Sequence, residues 1–499
     1  MTGLIVFILY LVALLGIGFA SNRVFKGTGS DFFTASSTIG PFMLLMSLFG
    51  ATMTSFALVG STAETYERGV GVYGLMASWA AIVHPLMFVV IGVPVWHLGK
   101  RYGYVTQVQL LRDRFQSDAL GWIILPLLIL LVVPYLLIAL QSAGVTVAAV
   151  TKTAFPETFV DAAGQPSGIP GWITGILIVG VTLIYINTGG IRAAAWANAL
   201  QTGVFLAVAA VTFVALVSTL GGPAAAMAKT AEVHPERFIR EGNIGQAEFL
   251  TYGFVGMSVG MFPHIFQHWL TARSANSFKL TVVLHPVLVM CVWLPCVFIG
   301  TWAVGQLNIP PEQSGKVLGA MVQKFSTPVT GAVLTAGIVA AIMSSLDSQF
   351  LALGTMATED VLLRLHPAAN ESVRVWWARS FTAGIGAITW GLSLYTTRGI
   401  FDLGVWCFSG FTGLVPIIVA ALYWRRATAA GAIAAVVAVV ATWVPLFMAS
   451  QGSGESFLVY GMMPVTLILA ASSASLVVVS LLTTPPPDEV LRKFFSEPA

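Results

Sequence analysis

Charge is scarce in this sequence. Only 9% of its 499 residues are Asp, Glu, Lys or Arg, while 57% are hydrophobic. A soluble domain carries about 25% charged residues, so this chain has too little polar surface to cover itself in water. Cysteine is scarce as well: Cys291, Cys296 and Cys407 all fall inside apolar runs and supply neither a disulfide framework nor a zinc-ligand spacing. There is no Walker loop, no HExxH pair, no nucleophile elbow and no pair of catalytic carboxylates, so an enzyme is not expected. The net charge of +3 points to no nucleic acid partner. No stretch outside the apolar runs is long enough for a fused kinase or nucleotide-binding module.

Apolar runs are what the chain has in abundance. A spanning helix needs roughly 20 such residues, and the pattern predicts an all-α integral membrane protein with thirteen spans. They fall at 4–20, 39–62, 72–97, 119–150, 170–188, 194–219, 248–271, 279–304, 327–353, 373–396, 400–424, 428–449 and 456–482. The first run lacks a basic leader and a small-residue cleavage site, so it reads as a retained helix in contact with lipid rather than a signal peptide. With the N-terminus placed outside, sixteen Lys and Arg, including Lys26, Arg112, Arg114 and Arg192, fall on the cytoplasmic side. Eight, including Arg68, Lys229 and Arg398, fall outside among the acids Glu232, Glu236 and Glu241. The excess inside predicts a plasma-membrane protein with its C-terminus in the cytoplasm.

Two spans are interrupted. The second contains Gly50-Ala51-Thr52-Met53-Thr54-Ser55, and the seventh runs from Gly256 through Gly260 to Phe262-Pro263. Lipid cannot solvate broken helix, so such breaks face protein or a cavity. The two lie five spans apart, an odd separation that reverses orientation, and matched breaks in two inverted halves point to a transporter binding site. Frequent Gly in membrane helices is the plainer alternative.

Ionisable groups inside a bilayer are costly, and Asp347 stands alone among the acids, deep in the ninth span. Ser344, Asp347 and Ser348 follow i, i+3, i+4 spacing and share a helical face, with Ser345 beside it and the Ala341 carbonyl one turn back. Hard cations favour oxygen ligands of this kind. Hydroxyls that bond back to their own helix and only pack are the competing reading. His84, His264 and His285 also lie within spans, as structural histidines or as proton carriers; His264 directly follows the second break. Asn198 and Gln201 are neutral polar groups in the sixth span, and Trp79, Phe262 and Trp406 are candidate pocket aromatics.

Several blocks together resemble the sodium:solute symporter family. They are Ser30-Asp31-Phe32-Phe33-Thr34-Ala35 leading to Ser47-Leu48-Phe49, Gly99-Lys100-Arg101-Tyr102-Gly103 with Arg112-Asp113-Arg114-Phe115, and Thr188-Gly189-Gly190-Ile191-Arg192 through Trp196 to Gln201. Further on come Pro263-His264-Ile265-Phe266-Gln267, the Ser344–Ser348 block with Glu359-Asp360, and Tyr423-Trp424-Arg425-Arg426-Ala427-Thr428 before Gly431. The resemblance runs from about Asp31 to Ala432. It implies a ten-helix core of two inverted five-helix repeats (LeuT-type), built from spans two to eleven. The division expected is an extra helix and linker over 1–38, a first repeat over 39–220, a second over 221–425 and two further helices with a tail over 426–499.

The resemblance also implies sodium-driven solute uptake by alternating access. The family's sodium site maps onto the carbonyls of Gly50, Met53 and Ala341 and the hydroxyls of Ser344 and Ser345. Its substrate contacts map onto Thr52, Thr54, Ala57, Phe262 and the Trp406–Phe408 region, and His264 joins them through the second break. Relatives often carry Asp where this chain has Asn198, and a hydroxyl where it has Asp347. A carboxylate moved across one cluster would leave Asn198, Ser344, Asp347 and Ser348 as a second cation or proton site. His268 stands where relatives commonly have Arg, and the sequence gives no reason for it.

The function expected is therefore sodium-coupled symport of a small polar organic solute, such as an amino acid or monocarboxylate. The alternatives are a proton-coupled symporter of the same fold that uses Asp347, and an uncoupled facilitator or channel.

Overall fold

A backbone that leaves no amide unpaired in hydrocarbon is either helical or a closed barrel, and these apolar runs take the first solution. The computed structural model describes residues 2–23, 28–152, 155–161, 164–240, 242–325, 327–395, 399–451 and 457–495. Among the described residues there is no β-strand. The chain opens with α1 (Thr2–Asn22). Next are α2, bent between Pro41–Thr52 and Phe56–Arg68, α3 (Tyr73–Tyr102) and α4 (Asp118–Thr151). They lead to α5 (Gly171–Thr219) and α6, bent between Gln246–Gly260 and Pro263–Thr271.

The second half continues with α7 (Ser277–Val304), α8 (Pro328–Met356), α9 (Glu371–Ser393), α10 (Ile400–Tyr423), α11 (Ala429–Ala449) and α12 (Val465–Leu482). Eight of the described helices are long and apolar enough to cross a bilayer, and the two bent pairs pass the same test together. Each expected span coincides with a helix, the fifth and sixth being the two arms of α5, but α1 and α9 are not among the helices that meet this test. Some boundaries differ: α2 and α3 run on to Arg68 and Tyr102, past 62 and 97, and α12 starts at Val465 behind Pro464, not at 456, which lies outside the described residues.

The two breaks match. α2 bends by 57° and α6 by 55°, five spans apart, as a pair of inverted repeats requires. At Met53 a ψ of 90° carries the chain out of helix, which leaves the last carbonyls of that arm without the amides four residues on. In α6 the turn Met257–Gly260 precedes Pro263; proline sits at the first turn of a new helix, where its missing N–H costs nothing.

The kink of α5 has an identifiable cause. Gly190 adopts φ 59°, ψ −146°, a region open essentially to glycine alone. A Cβ there would lie 2.5 Å from the Phe32 carbonyl oxygen. Gly190→Ala is expected to cost at least about 1–3 kcal/mol from the backbone alone, read as a lower melting midpoint in detergent. At Gly180 a Cβ would meet nothing within 4 Å, so alanine should be tolerated there. Equal midpoints for both variants would refute this account of the kink.

The charged residues gather at two ends. At one end Arg192 pairs with Asp31 at 2.6 Å and Arg364 with Asp118 at 3.1 Å. There too the helix Asp488–Phe495 is held by Lys493 on Asp113, and Arg114 donates to the Ala421 and Trp424 carbonyls at 3.0 Å. At the other end Arg68 meets Glu248 at 2.7 Å and Lys229 donates to Gln306. Lys26, Glu241 and Arg398, which enter the charge count, lie outside the described residues.

Candidate functional site

The break in α2 meets α8 directly. Ser344 Oγ lies 2.8 Å from the Gly50 carbonyl oxygen and 2.8 Å from that of Ala341, so its single proton serves one of them at a time. Gly50 permits the approach: a Cβ on it would lie 2.5 Å from Thr202 Oγ1 on α5. Three helices therefore converge on one glycine, the small-residue packing that membrane interiors use. Ser345 is equally buried, but its hydroxyl turns back to the Ile342 carbonyl at 3.0 Å rather than across to α2. Met53 closes its helical arm by donating its N–H to the Phe49 carbonyl at 2.8 Å.

One turn further along α8, Asp347 is fully buried and ringed by donors. Tyr185 OH donates to its Oδ2 at 2.8 Å and Ser348 Oγ donates to its Oδ1 at 3.0 Å. In the amide orientation that satisfies both of its ends, Asn198 Nδ2 donates to both carboxylate oxygens at 3.1 Å and to the Ser344 carbonyl at 2.9 Å, while its Oδ1 lies 2.9 Å from Ser348 Oγ, whose single proton serves Asn198 or Asp347 at any one time. His268 Nε2 lies 2.9 Å from the same Ser348 hydroxyl. The three departures from the family pattern, Asn198, Asp347 and His268, thus meet around one hydroxyl. Tyr185 belongs to this cluster and is not found by sequence reasoning; a tyrosine inside an apolar arm is the one signal it gives.

On the other side of the α2 break lies a cavity between α2, α3, α4, α6, α7 and α10. It encloses about 500 Å³ of empty space, counting its open mouth. Thr52, Thr54, Ala57 and Phe262 line it, together with Trp79, His84, Tyr135, Trp293 and Phe408. Two expected residues are elsewhere. His264 sits behind Phe262, stacked on it with centroids 5.3 Å apart. Trp406 packs against Trp443 and Phe447, and Phe408, half a turn on, takes the cavity position. The chemistry on offer is hydroxyls, ring N–H groups and aromatic faces, with no charged residue among the described lining residues.

The sequence profile of the sodium:solute symporter family matches residues 32–438. The sodium/pantothenate symporter of Escherichia coli is 25% identical, over 86% of this chain and 87% of that relative. The sodium/proline symporter of Salmonella typhimurium is 23% identical, over 87% and 85% respectively. Among solved structures, a Na+-coupled sialic acid symporter in a substrate-bound outward-open state superposes with a TM-score of 0.74 at 17% identity, covering 97% of this chain and 98% of that one. A nucleobase-cation-symport-1 family transporter superposes with a TM-score of 0.55 at 12% identity, covering 93% and 97%.

Proposed function

The chain belongs to the sodium:solute symporter family, a multi-pass sodium-coupled transporter and not an enzyme, and from this premise we propose where the sodium ion and the solute bind. The sodium site is formed by the carbonyls of Gly50, Met53 and Ala341 with the hydroxyls of Ser344 and Ser345. The observation that carries this reading is the Ser344 hydroxyl held 2.8 Å from two carbonyls on two different helices. A sodium ion arriving there replaces the hydroxyl proton as the partner of the Gly50 carbonyl, which the broken helix has left free, and of the Ala341 carbonyl on α8. The same set of oxygens comes apart when α2 and α8 separate. A ligand shifts a conformational equilibrium only by its differential affinity for the two states, and a site split between two moving elements has that property.

Asn198, Asp347 and Ser348 form the second cation or proton site. A buried carboxylate surrounded by neutral donors calls for a cation or a proton; the family-atypical Asp347 supplies the charge that Asn198 lacks. The solute is a small polar organic molecule bound in the cavity by Thr52, Thr54, Ala57 and Phe262, with His264 behind the aromatic wall. The repeats are 39–220 and 221–425, flanked by 1–38 and 426–499. The end that carries Arg114, Arg192 and Lys493 faces the cytoplasm, with the N-terminus outside the plasma membrane.

Uptake by proteoliposomes tests this. With L-proline, pantothenate and sialic acid offered separately, an inward sodium gradient is expected to drive accumulation of one of them or of a chemical relative. A pH gradient without sodium should not. Accumulation that follows the pH gradient alone would instead support the proton-coupled alternative at Asp347.

A further inference from the structure

Two histidines that symport does not yet use meet at the cavity wall. His84 on α3 lines the cavity, and its Nδ1 lies 3.2 Å from Nε2 of His285 on α7. His285 is fully buried, its ring near perpendicular to those of Phe49 and Phe88 at centroid distances of 5.4 and 5.2 Å. Its Nδ1 has no hydrogen-bond partner among the described residues. One proton joins the two rings, and there are two ways to place it. If His84 donates, His285 Nδ1 carries a buried N–H with no acceptor. If His285 donates through Nε2, its Nδ1 is a bare nitrogen, and His84 keeps its proton on Nε2. Orphaned N–H groups are the rarer state in folded interiors and cost the full desolvation penalty, so the second arrangement is favoured. His84, a residue of the cavity lining, then carries its N–H on Nε2, the ring nitrogen not engaged by His285.

A second lining residue carries an unpartnered donor. Trp293 lines the cavity from α7, and its buried Nε1–H has no partner among the described residues. Indole is a donor only, so no rearrangement of its own proton can satisfy it. The wall near the α2 and α6 breaks adds the aromatic rings of Phe56, Phe262 and Phe408 beside the hydroxyls of Thr52, Thr54 and Ser258. A cavity with surplus N–H donors, apolar faces and no charged lining residue among those described selects a solute with an apolar body and an acceptor oxygen, a carboxylate or carbonyl.

We infer that His84, held in its Nε2–H tautomer by His285, and Trp293 are the donors that recognise an acceptor oxygen of the transported solute. His84 and Trp293 touch the solute; His285 is a positioning residue. This rests on the symport reading above and adds the residues that set specificity.

The test uses the purified full-length chain in sodium. Thermal stabilisation is measured with L-proline, pantothenate and sialic acid, each beside a counterpart that lacks the carboxylate (prolinol, pantothenol and the corresponding reduced alcohol). The expected result is that the carboxylate of a binding pair stabilises the protein at a concentration at least tenfold lower than its alcohol. His84→Ala and Trp293→Phe should each weaken that ligand at least tenfold. His285→Leu should do the same, and His285→Gln, which retains an amide donor, should recover most of the loss. Ligand binding that depends on sodium yet is unchanged in both His84→Ala and Trp293→Phe would overturn this inference alone. Ligand binding indifferent to sodium would instead defeat the symport reading. Ring nitrogen chemical shifts of labelled histidine, assigned by the signal lost in His84→Gln, give a readout independent of ligand choice. His84 in the Nε2–H tautomer is expected, and a proton on Nδ1 would overturn the proposal.

Discussion

Sodium-dependent uptake is expected to collapse when Ser344 and Ser345 are both replaced by alanine, with the amount of protein in the membrane unchanged. The two side chains are fully buried, and the cavities left by two hydroxyls are small, so folding loses little. The proposed ion site loses two oxygens at once. Hydrogen-bond-like contacts to a charged group are worth about 1.5–3 kcal/mol, which is roughly a 10- to 100-fold change in affinity for each. Ser344→Ala alone should raise the half-saturating sodium concentration at least about tenfold on that scale, because it removes the hydroxyl that reaches both helices. Ser345→Ala should have the smaller effect, since that hydroxyl turns toward its own helix. Sodium activation curves of uptake check both. Curves identical to wild type in the two single variants would refute the proposed site.

Asp347→Asn is the second large effect expected. The change keeps the shape of a fully buried side chain and removes its charge, so Tyr185, Ser348 and Asn198 keep a partner while a bound cation loses its counter-charge. Hill coefficients rise at most to the number of coupled sites. A sodium coefficient near 2 in wild type should therefore fall to about 1 in the variant, with a much slower maximal rate. If the second site takes a proton, the variant should instead lose the dependence of uptake on external pH while its sodium coefficient stays the same. An unaltered coefficient, rate and pH profile would remove the second site.

Much of this arrangement is readable from the sequence, and the reasons are physical. Spans show in sequence because lipid enforces unbroken hydrogen bonding, so the two interruptions stand out at Gly50–Ser55 and Gly256–Pro263, where α2 and α6 bend. The oxygen-rich face of α8 is legible from helical spacing alone. Trp406 is not placed by the same reasoning, because α10 is buried on every side from Leu403 to Val415. A helix without a solvent or lipid stripe gives no pattern to tell one face from another, and the ring that reaches the cavity is that of Phe408. Contacts between distant segments are out of reach for a related reason. Tyr185 meets Asp347 across 162 residues and His84 meets His285 across 201, and nothing local in either sequence announces the partner. His268, without a rationale in the sequence, gains one beside Ser348.

The central claim is that oxygens from the α2 break and from α8 hold the coupling ion. Equilibrium binding of radioactive sodium to the purified protein, with no solute present, addresses it most directly. Wild type is expected to show saturable binding that vanishes in the Ser344→Ala/Ser345→Ala double variant. Equal saturable binding by both proteins would contradict it.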